Sequence, residues 1–287
     1  MGNPFIPFPR CENIIIVGHA AAEYLGALRI YGRGLIGGDV PSMELLHPME
    51  KHLECVSCFL NDPTQVLLPA VRRMKANFVV LEENGSADFN PAAGREVLEK
   101  EGISVKILDV RGSTESVLRR ASKLFGEEKQ AERIIRERTE RLAALDDVRK
   151  SIRKGQKAAI FLAIRSPVRH ESYVFRISER SALSQLLTNT FAIENINVRP
   201  NAEERIPGIQ ELDDLSELFE KNPDLIVYTG DAAACGQKIT EFIRKHPQFA
   251  ECNAVKNGRI YGAPYYCHAL DLRRHEILEA WSDVLAD

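Results

Sequence analysis

Residues 127–153 read EEKQAERIIRERTERLAALDDVRKSIR, a stretch without glycine or proline. Apolar or small side chains recur in it with a spacing close to the helical period. They are Ala131, Ile134, Ile135, Leu142, Leu145, Val148 and Ile152. At 1.5 Å per residue, a helix over this stretch would be about 40 Å long. We predict one long helix rather than a coiled coil, because no strict heptad is kept over enough repeats.

The arginines of this helix are interpreted as solvated surface charges. They are Arg133, Arg136, Arg138 and Arg141. Pairs spaced four residues apart lie on the same helix face, so Glu137 and Arg141 are predicted to pair.

The residues before the long helix alternate between strand-like and helix-like patterns. The predicted strands are Asn13–Val17, Phe78–Leu81 and Val105–Val110. The predicted helices are Ala20–Leu28, Thr64–Lys75 and Pro91–Gly102. Such alternation is typical of a parallel sheet covered by helices on both faces.

The residues after the long helix show the same alternation. The predicted strands are Lys157–Ile164, Leu225–Thr229 and Arg259–Tyr261, and the predicted helices are Ser178–Thr188, Ala232–Lys245 and Leu270–Leu285. Ser178 is the expected N-cap of its helix. Arg165–Tyr173 is expected to be a loop.

The predicted fold class is α/β, with two Rossmann-like lobes that contain parallel sheets and are joined by one long helix. The lobes are assigned to residues 1–126 and 155–287, and the connecting helix to residues 127–154. A chain of 287 residues is long enough for two such domains.

Composition excludes several classes of function. The net charge of -3 and the pI near 6.2 give no reason to expect a nucleic-acid partner, which usually requires a basic surface. No run of 18 apolar residues is present to span a membrane. The first ten residues do not resemble an export signal, so we expect either a cytosolic protein or one whose signal has been removed.

The six cysteines follow no framework spacing. Cys55 and Cys58 form a lone CxxC, and a zinc site would need a second ligand pair that the sequence lacks. We interpret them as buried thiols on a strand, with a redox pair as the alternative.

Catalytic motifs of the common enzyme classes are missing. The sequence contains no GxSxG elbow, P-loop or HExxH motif. Glu82 and Glu83 are adjacent carboxylates, which usually point apart. We therefore predict that the chain is not an enzyme of these classes.

Five segments resemble the class III periplasmic binding proteins, which capture vitamin B12, haem and ferric siderophores. The segments are Ile14–Leu28, Leu124–Ala131, Asn222–Val227, His246–Phe249 and Ala254–Tyr261. The last, which reads AVKNGRIY, is the most specific match.

The resemblance implies the capture component of an ABC importer, with a cleft between two lobes that holds a ferric siderophore, haem or a corrinoid. It implies partnership with a permease and its ATPase, a monomer, no required cofactor, and a periplasmic or cell-surface location. It also implies a permease-docking glutamate on each lobe. Glu217 is near that position in the second lobe, whereas Pro63-Thr64-Gln65 in the first lobe offers none.

Ligands of open α/β sheets bind beyond the carboxyl ends of the strands. Arginine there offers a planar fork to carboxylates or catecholate oxygens, and histidine and tyrosine are axial ligands of haem iron. The predicted ligand-binding residues are His19, Arg165, Arg169, His170, Tyr173, Asp231, Tyr266 and His268.

One alternative stays open at this point. The cysteines and the missing export signal would also fit a cytosolic protein of the same two-lobed architecture that handles a metal or a tetrapyrrole, similar to chelatases or nitrogenase-like proteins.

Overall fold

The structure is a computed structural model of the full chain. It describes residues 10–37, 47–152, 154–165, 171–197, 208–212, 214–262 and 271–285. Two compact units are present. Unit 1 contains Met1–Glu140 and Cys267–Leu272, and unit 2 contains Arg141–Tyr266 and Arg273–Asp287.

The described residues of unit 1 form a five-stranded parallel sheet and a two-stranded parallel pair. The pair is β1 (Arg10–Cys11) with β3 (Ile30–Tyr31). The sheet has the order β5-β4-β2-β6-β7. Its strands are β2 (Ile14–Val17), β4 (Gly34–Gly37), β5 (Lys51–Cys55), β6 (Phe78–Glu83) and β7 (Val105–Asp109). The parallel sheet predicted for the first lobe is confirmed.

Helices cover both faces of this sheet. They are α1 (His19–Ala27), α2 (Val56–Asn61), α3 (Pro63–Met74), α4 (Arg95–Lys100) and α5 (Thr114–Lys123), with a 3-10 turn at Pro91–Gly94. Side chains of β2 alternate between the two resulting cores: Ile14 and Ile16 lie in one, Ile15 and Val17 in the other. This double burial explains why the strand is a continuous apolar run.

The long helix α6 spans Glu128–Ser151, within three residues of the predicted bounds at each end. Its Ala131 is buried in the core of unit 1, and Ile134 and Ile135 pack against that core. The interpretation of Arg138 as a solvated charge is wrong. Arg138 is buried and donates to Glu115 at 2.8 Å and to Asp271 at 3.0 Å.

The charge pairs of α6 also differ from the prediction. Glu137 accepts from Arg133 at 3.1 Å, and Arg141 donates to Glu279 at 2.7 Å. Asp271 and Leu272 belong to unit 1, and Leu272 lies in its core. No sequence pattern indicated that these two residues, near the end of the chain, would belong to the first unit.

Six strands in the described part of unit 2 form a mixed sheet, with the path β11-β9-β8-β12-β13 and β10 paired to β8. They are β8 (Lys157–Arg165), β9 (Ser172–Ile177), β10 (Glu194–Asn195), β11 (Ile209–Glu211), β12 (Leu225–Gly230) and β13 (Ile260–Gly262). β8, β12 and β13 pair in parallel, as predicted, and β10, which was not predicted, also pairs in parallel with β8. β9 was not predicted, and it runs antiparallel to both β8 and β11.

The helices of unit 2 pack around this sheet. They are α7 (Ala182–Phe191), α8 (Ser216–Phe219), α9 (Ala232–Lys245), α10 (Asn253–Lys256) and α11 (Arg274–Leu285), with a 3-10 turn at Pro247–Glu251. The predicted start of α7 at Ser178 is wrong. The amide of Ser178 donates to Gly208 O at 2.9 Å and continues the sheet pairing, so Ser181 takes the N-cap position.

Among the described helices, none combines the length and the hydrophobicity needed to cross a lipid bilayer.

Candidate functional site

At the carboxyl edge of the sheet in unit 1, Gly18 links β2 to α1. Gly18 has a φ of 121°, and a Cβ built on it would lie 2.3 Å from the Cβ of Glu82. A side chain at this position would therefore clash with the neighbouring strand. Glycine lets α1 begin directly after β2, with His19 as its first residue.

His19 is buried at this edge, with only 4% of its surface exposed. The centroid of its ring lies 5.8 Å from that of His47, with the planes inclined by 47°. A ligand would reach His19 only after its neighbours, His47 among them, have moved. Sequence reasoning did not select His47.

Glu82 is a second residue that sequence reasoning did not select. Its carboxylate accepts from the backbone amide of Ala21 at 2.9 Å and from Asn84 Nδ2 at 3.0 Å. Burial raises the pKa of Glu82, and these hydrogen bonds offset part of the rise. The N-terminus of α1, a position where α/β folds often bind phosphate, is thus occupied by a carboxylate of the chain itself.

Glu83 points elsewhere, as expected for adjacent residues on a strand. Its carboxylate accepts from the amide of Gly85 at 2.8 Å and from Asn90 Nδ2 at 3.0 Å. A charged residue that directly follows four apolar positions in FVVLEE was the available signal for Glu82.

The carboxyl edge of unit 2 brings together two predicted residues, Arg165 and Asp231. Arg165 ends β8, and Asp231 directly follows β12, the parallel neighbour of β8. Arg165 Nε lies 3.4 Å from Asp231 Oδ2, and the Arg165 side chain is 47% exposed. Asp231 also caps α9, since its Oδ1 accepts from Ala234 N at 2.8 Å. Asp231 therefore holds an exposed guanidinium at the strand ends.

Tyr173 lies on β9 beside these residues, not in the predicted loop. It pairs with Ile164 of β8, and the preceding Ser172 pairs with Arg165. The hydroxyl of Tyr173 donates to Glu171. Because side chains alternate along a strand, Tyr173 shares one face of the sheet with Ile164, whereas Arg165 lies on the opposite face with Ser172.

Four predicted ligand-binding residues lie outside the described residues. They are Arg169, His170, Tyr266 and His268.

Unit 2 also contains a cavity of about 600 Å³ beside β9 and α9. Its lining carries charged side chains of both signs, Glu211, Asp214, Lys238, Glu241 and Lys245, together with His246. It lies mainly along a face of the sheet and reaches strand ends at Ser172 and Tyr173 of β9 and at Glu211 of β11. We place the candidate site at Arg165 instead, because ligands of such folds bind beyond the carboxyl ends of the strands.

A comparison with protein families identifies the chain. Residues 79–266, well over half of the sequence, match the model of the family described as Periplasmic binding protein. The chain belongs to this family. The relationship predicted from the five sequence segments is therefore confirmed. Members of the family bind substrates and are not enzymes. A search of curated proteins finds no match to this binding protein.

Solved structures of periplasmic binding proteins have the same fold. The iron-uptake system-binding protein FeuA from Bacillus subtilis has a TM-score of 0.64 at 17% identity, over 95% of this chain and 94% of that one. A periplasmic heme binding protein from Pseudomonas aeruginosa has a TM-score of 0.62 at 14% identity, over 97% and 92%. At these identities the likeness concerns the fold, and it confirms the predicted class of two α/β lobes.

FeuA has also been solved as a triscatecholate siderophore binding protein complexed with Ferri-Bacillibactin. That structure has a TM-score of 0.60 and 17% identity to this binding protein, over 98% of this chain and 94% of that one.

Glu217, the predicted docking residue of this binding protein, lies in α8 and is 48% exposed. Its carboxylate accepts from Arg176 Nη2 at 2.8 Å. Arg176 lies on β9 and is only 2% exposed, so Glu217 neutralises a buried cation. In unit 1, α3 begins at Pro63 with Asp62 as its N-cap, and Asp62 Oδ1 accepts from Gln65 N at 2.9 Å.

Proposed function

We propose that this periplasmic binding protein is the extracytoplasmic substrate-binding component of an ABC importer, and that it captures a metal chelate. The ligand classes considered are a ferric siderophore, haem and a corrinoid. Family membership supports a binding role, and the similarity to proteins named for heme and for a ferric triscatecholate supports a chelate.

The observation that carries this proposal is the Arg165–Asp231 pair at the carboxyl edge of unit 2. The guanidinium is half exposed, and Asp231 contacts it from one side at 3.4 Å. A planar guanidinium can donate two parallel hydrogen bonds to carboxylate or catecholate oxygens.

The helix N-termini at these edges favour a chelate over a nucleotide. In unit 1, Glu82 occupies the N-terminus of α1, and in unit 2, Asp231 caps α9. A phosphate group would have to displace these carboxylates before it could use the backbone amides there. Recognition of an anionic ligand therefore depends on side chains such as Arg165.

The proposal includes the ligand-binding residues and the partners that were predicted from the sequence. Ligand contacts are assigned to His19, Arg165, Arg169, His170, Tyr173, Asp231, Tyr266 and His268. Glu217 is assigned to the permease, which acts with its ATPase. We propose a monomer at the periplasmic or cell surface, with no resident cofactor.

Replacing Arg165 with alanine is expected to weaken binding of an anionic ferric triscatecholate about tenfold or more. The reason is that hydrogen bonds to charged groups contribute about 1.5–3 kcal/mol each. Quenching of Trp281, the single and buried tryptophan of the chain, measures the dissociation constant.

The matched control is Arg119→Ala. Arg119 is 50% exposed and pairs with Glu132 on unit 1, so it resembles Arg165 in exposure and pairing. Equal affinities of Arg165→Ala, Arg119→Ala and the unsubstituted protein would show that Arg165 does not bind the ligand.

A further inference from the structure

The CxxC pair lies at the junction between β5 and α2 in unit 1. Cys55 is the last residue of β5, and Cys58 is in the first turn of α2. Cys58 is exposed and Cys55 is partly exposed, so the interpretation of both as buried thiols on a strand is wrong. The carboxyl end of β5 is at the same edge of the parallel sheet as Gly18 and His19.

The two thiols are in direct contact. Cys55 Sγ and Cys58 Sγ are 3.2 Å apart, and the amide of Cys58 donates to Cys55 Sγ at 3.4 Å. Residues three apart at the start of a helix face the same side, which explains the contact. A disulfide bond is about 2.0 Å long, so the sulfurs would need to approach by only about 1.2 Å.

We propose that Cys55 and Cys58 form a reversible disulfide by exchange with an external disulfide of the glutathione type. A thiolate of the pair attacks one sulfur of the external disulfide, whose S–S bond breaks and releases one thiol. The second cysteine then attacks the resulting mixed disulfide, forms the Cys55–Cys58 bond and releases the second thiol. The external disulfide is reduced to two thiols, and the protein dithiol is oxidised.

A metal site is the competing use of these residues. Oxygen and sulfur atoms of Glu54, Cys55 and Cys58 lie within 4.8 Å of one another. Two thiolates on one tetrahedral zinc ion, each at about 2.3 Å from it, would be about 3.8 Å apart. The observed distance between the two sulfur atoms, 3.2 Å, is already shorter than the separation across a zinc ion. The arrangement therefore favours disulfide formation over zinc binding.

The test counts thiols in the full chain after incubation of the reduced protein with oxidised glutathione. Because its hydrogen bond to Cys55 raises the pKa of Cys58 to about 11, the exchange is run at mildly alkaline pH. Remaining thiols are alkylated in denaturant and located by peptide mass mapping. We expect alkylation to fall from all six cysteines to four, with Cys55 and Cys58 linked within one peptide.

Single variants separate the possible outcomes. Cys55→Ser and Cys58→Ser should each keep a stable mixed disulfide with glutathione, because the resolving thiol is gone. Cys11→Ser, which removes another exposed cysteine, should leave the loss of two thiols unchanged.

The assignment is overturned if all six thiols remain alkylated, or if the link involves Cys11. Protection that requires added Zn²⁺ and disappears in Glu54→Gln would also overturn it, in favour of a metal site.

Discussion

Replacing Glu217 with alanine is expected to lower the free energy of unfolding of unit 2 by about 3–5 kcal/mol. Arg176 is only 2% exposed and donates to Glu217 at 2.8 Å, while its Nε has no hydrogen-bond partner among the described residues. Removal of the carboxylate would leave a buried guanidinium without this countercharge. The cost of such a charge greatly exceeds the contribution of an exposed ion pair.

Urea unfolding followed by circular dichroism measures the effect. The control is Glu251→Ala, because Glu251 pairs with Lys256 on the surface and its replacement should change stability far less. Arg176→Met, which removes the buried charge itself, should be far less costly than Glu217→Ala. Equal, small effects of Glu217→Ala and Glu251→Ala would contradict this structural role.

This ion pair affects how permease docking has to be tested. Glu217 is half exposed, but its carboxylate also holds Arg176. A transport defect in Glu217→Ala could therefore come from a weakened unit 2. Combining Glu217→Ala with Arg176→Met removes the buried charge, so that a remaining transport defect can be assigned to docking.

Replacing Glu50 with glutamine is expected to stabilise unit 1 by about 3 kcal/mol above neutral pH, and to change it little under acidic conditions. Glu50 is 7% exposed, and burial raises the pKa of its carboxyl from 4.5 to about 7. Backbone amides of Gly32 and Glu50 lower this pKa in part. A rise of this size corresponds to about 3 kcal/mol at 1.36 kcal/mol per pKa unit.

The direction of this pH dependence follows from the number of protons that Glu50 binds in the folded and the unfolded protein. Between the unfolded and folded pKa values, the folded protein holds more protons on Glu50 than the unfolded chain does. The stabilising contribution is present below pH 4.5 and is lost as the pH rises through about 7. Glutamine does not titrate, so the difference between the two proteins should appear over this window.

Thermal and urea unfolding at a series of pH values measure this difference in stability. The contributions of the other titrating groups cancel, because both proteins contain them. Glu101→Gln, at an exposed position in the same unit, serves as the control. A difference between Glu50→Gln and the unsubstituted protein that stays constant with pH would contradict a buried carboxyl with a raised pKa.

Residues with a strong periodic pattern gave correct predictions. The run Ile14–Val17, the strand at Lys157 and the long helix lie within three residues of their expected bounds. Each of these elements is buried on one face or on both faces. The spacing of its apolar residues therefore matches the helix or strand that it forms. Arg165 and Asp231 follow from the same reasoning, because the ends of adjacent parallel strands lie together.

Features that depend on distant partners could not be predicted. β9 carries Tyr173 and Arg176 among apolar residues, and its pairing with β8 and β11 is visible only in three dimensions. Arg138 resembles the exposed arginines around it, but Asp271, more than a hundred residues later, makes it a buried charge. Glu82 likewise depends on the backbone amide of Ala21, on another element.

The most direct test of chelate capture is a fluorescence and absorbance titration of the purified full-length protein with haem, cobinamide and a ferric triscatecholate. We expect saturable binding of one of these ligands, with a sub-micromolar dissociation constant and one ligand per chain. A lack of saturable binding with all three would contradict the capture of a metal chelate.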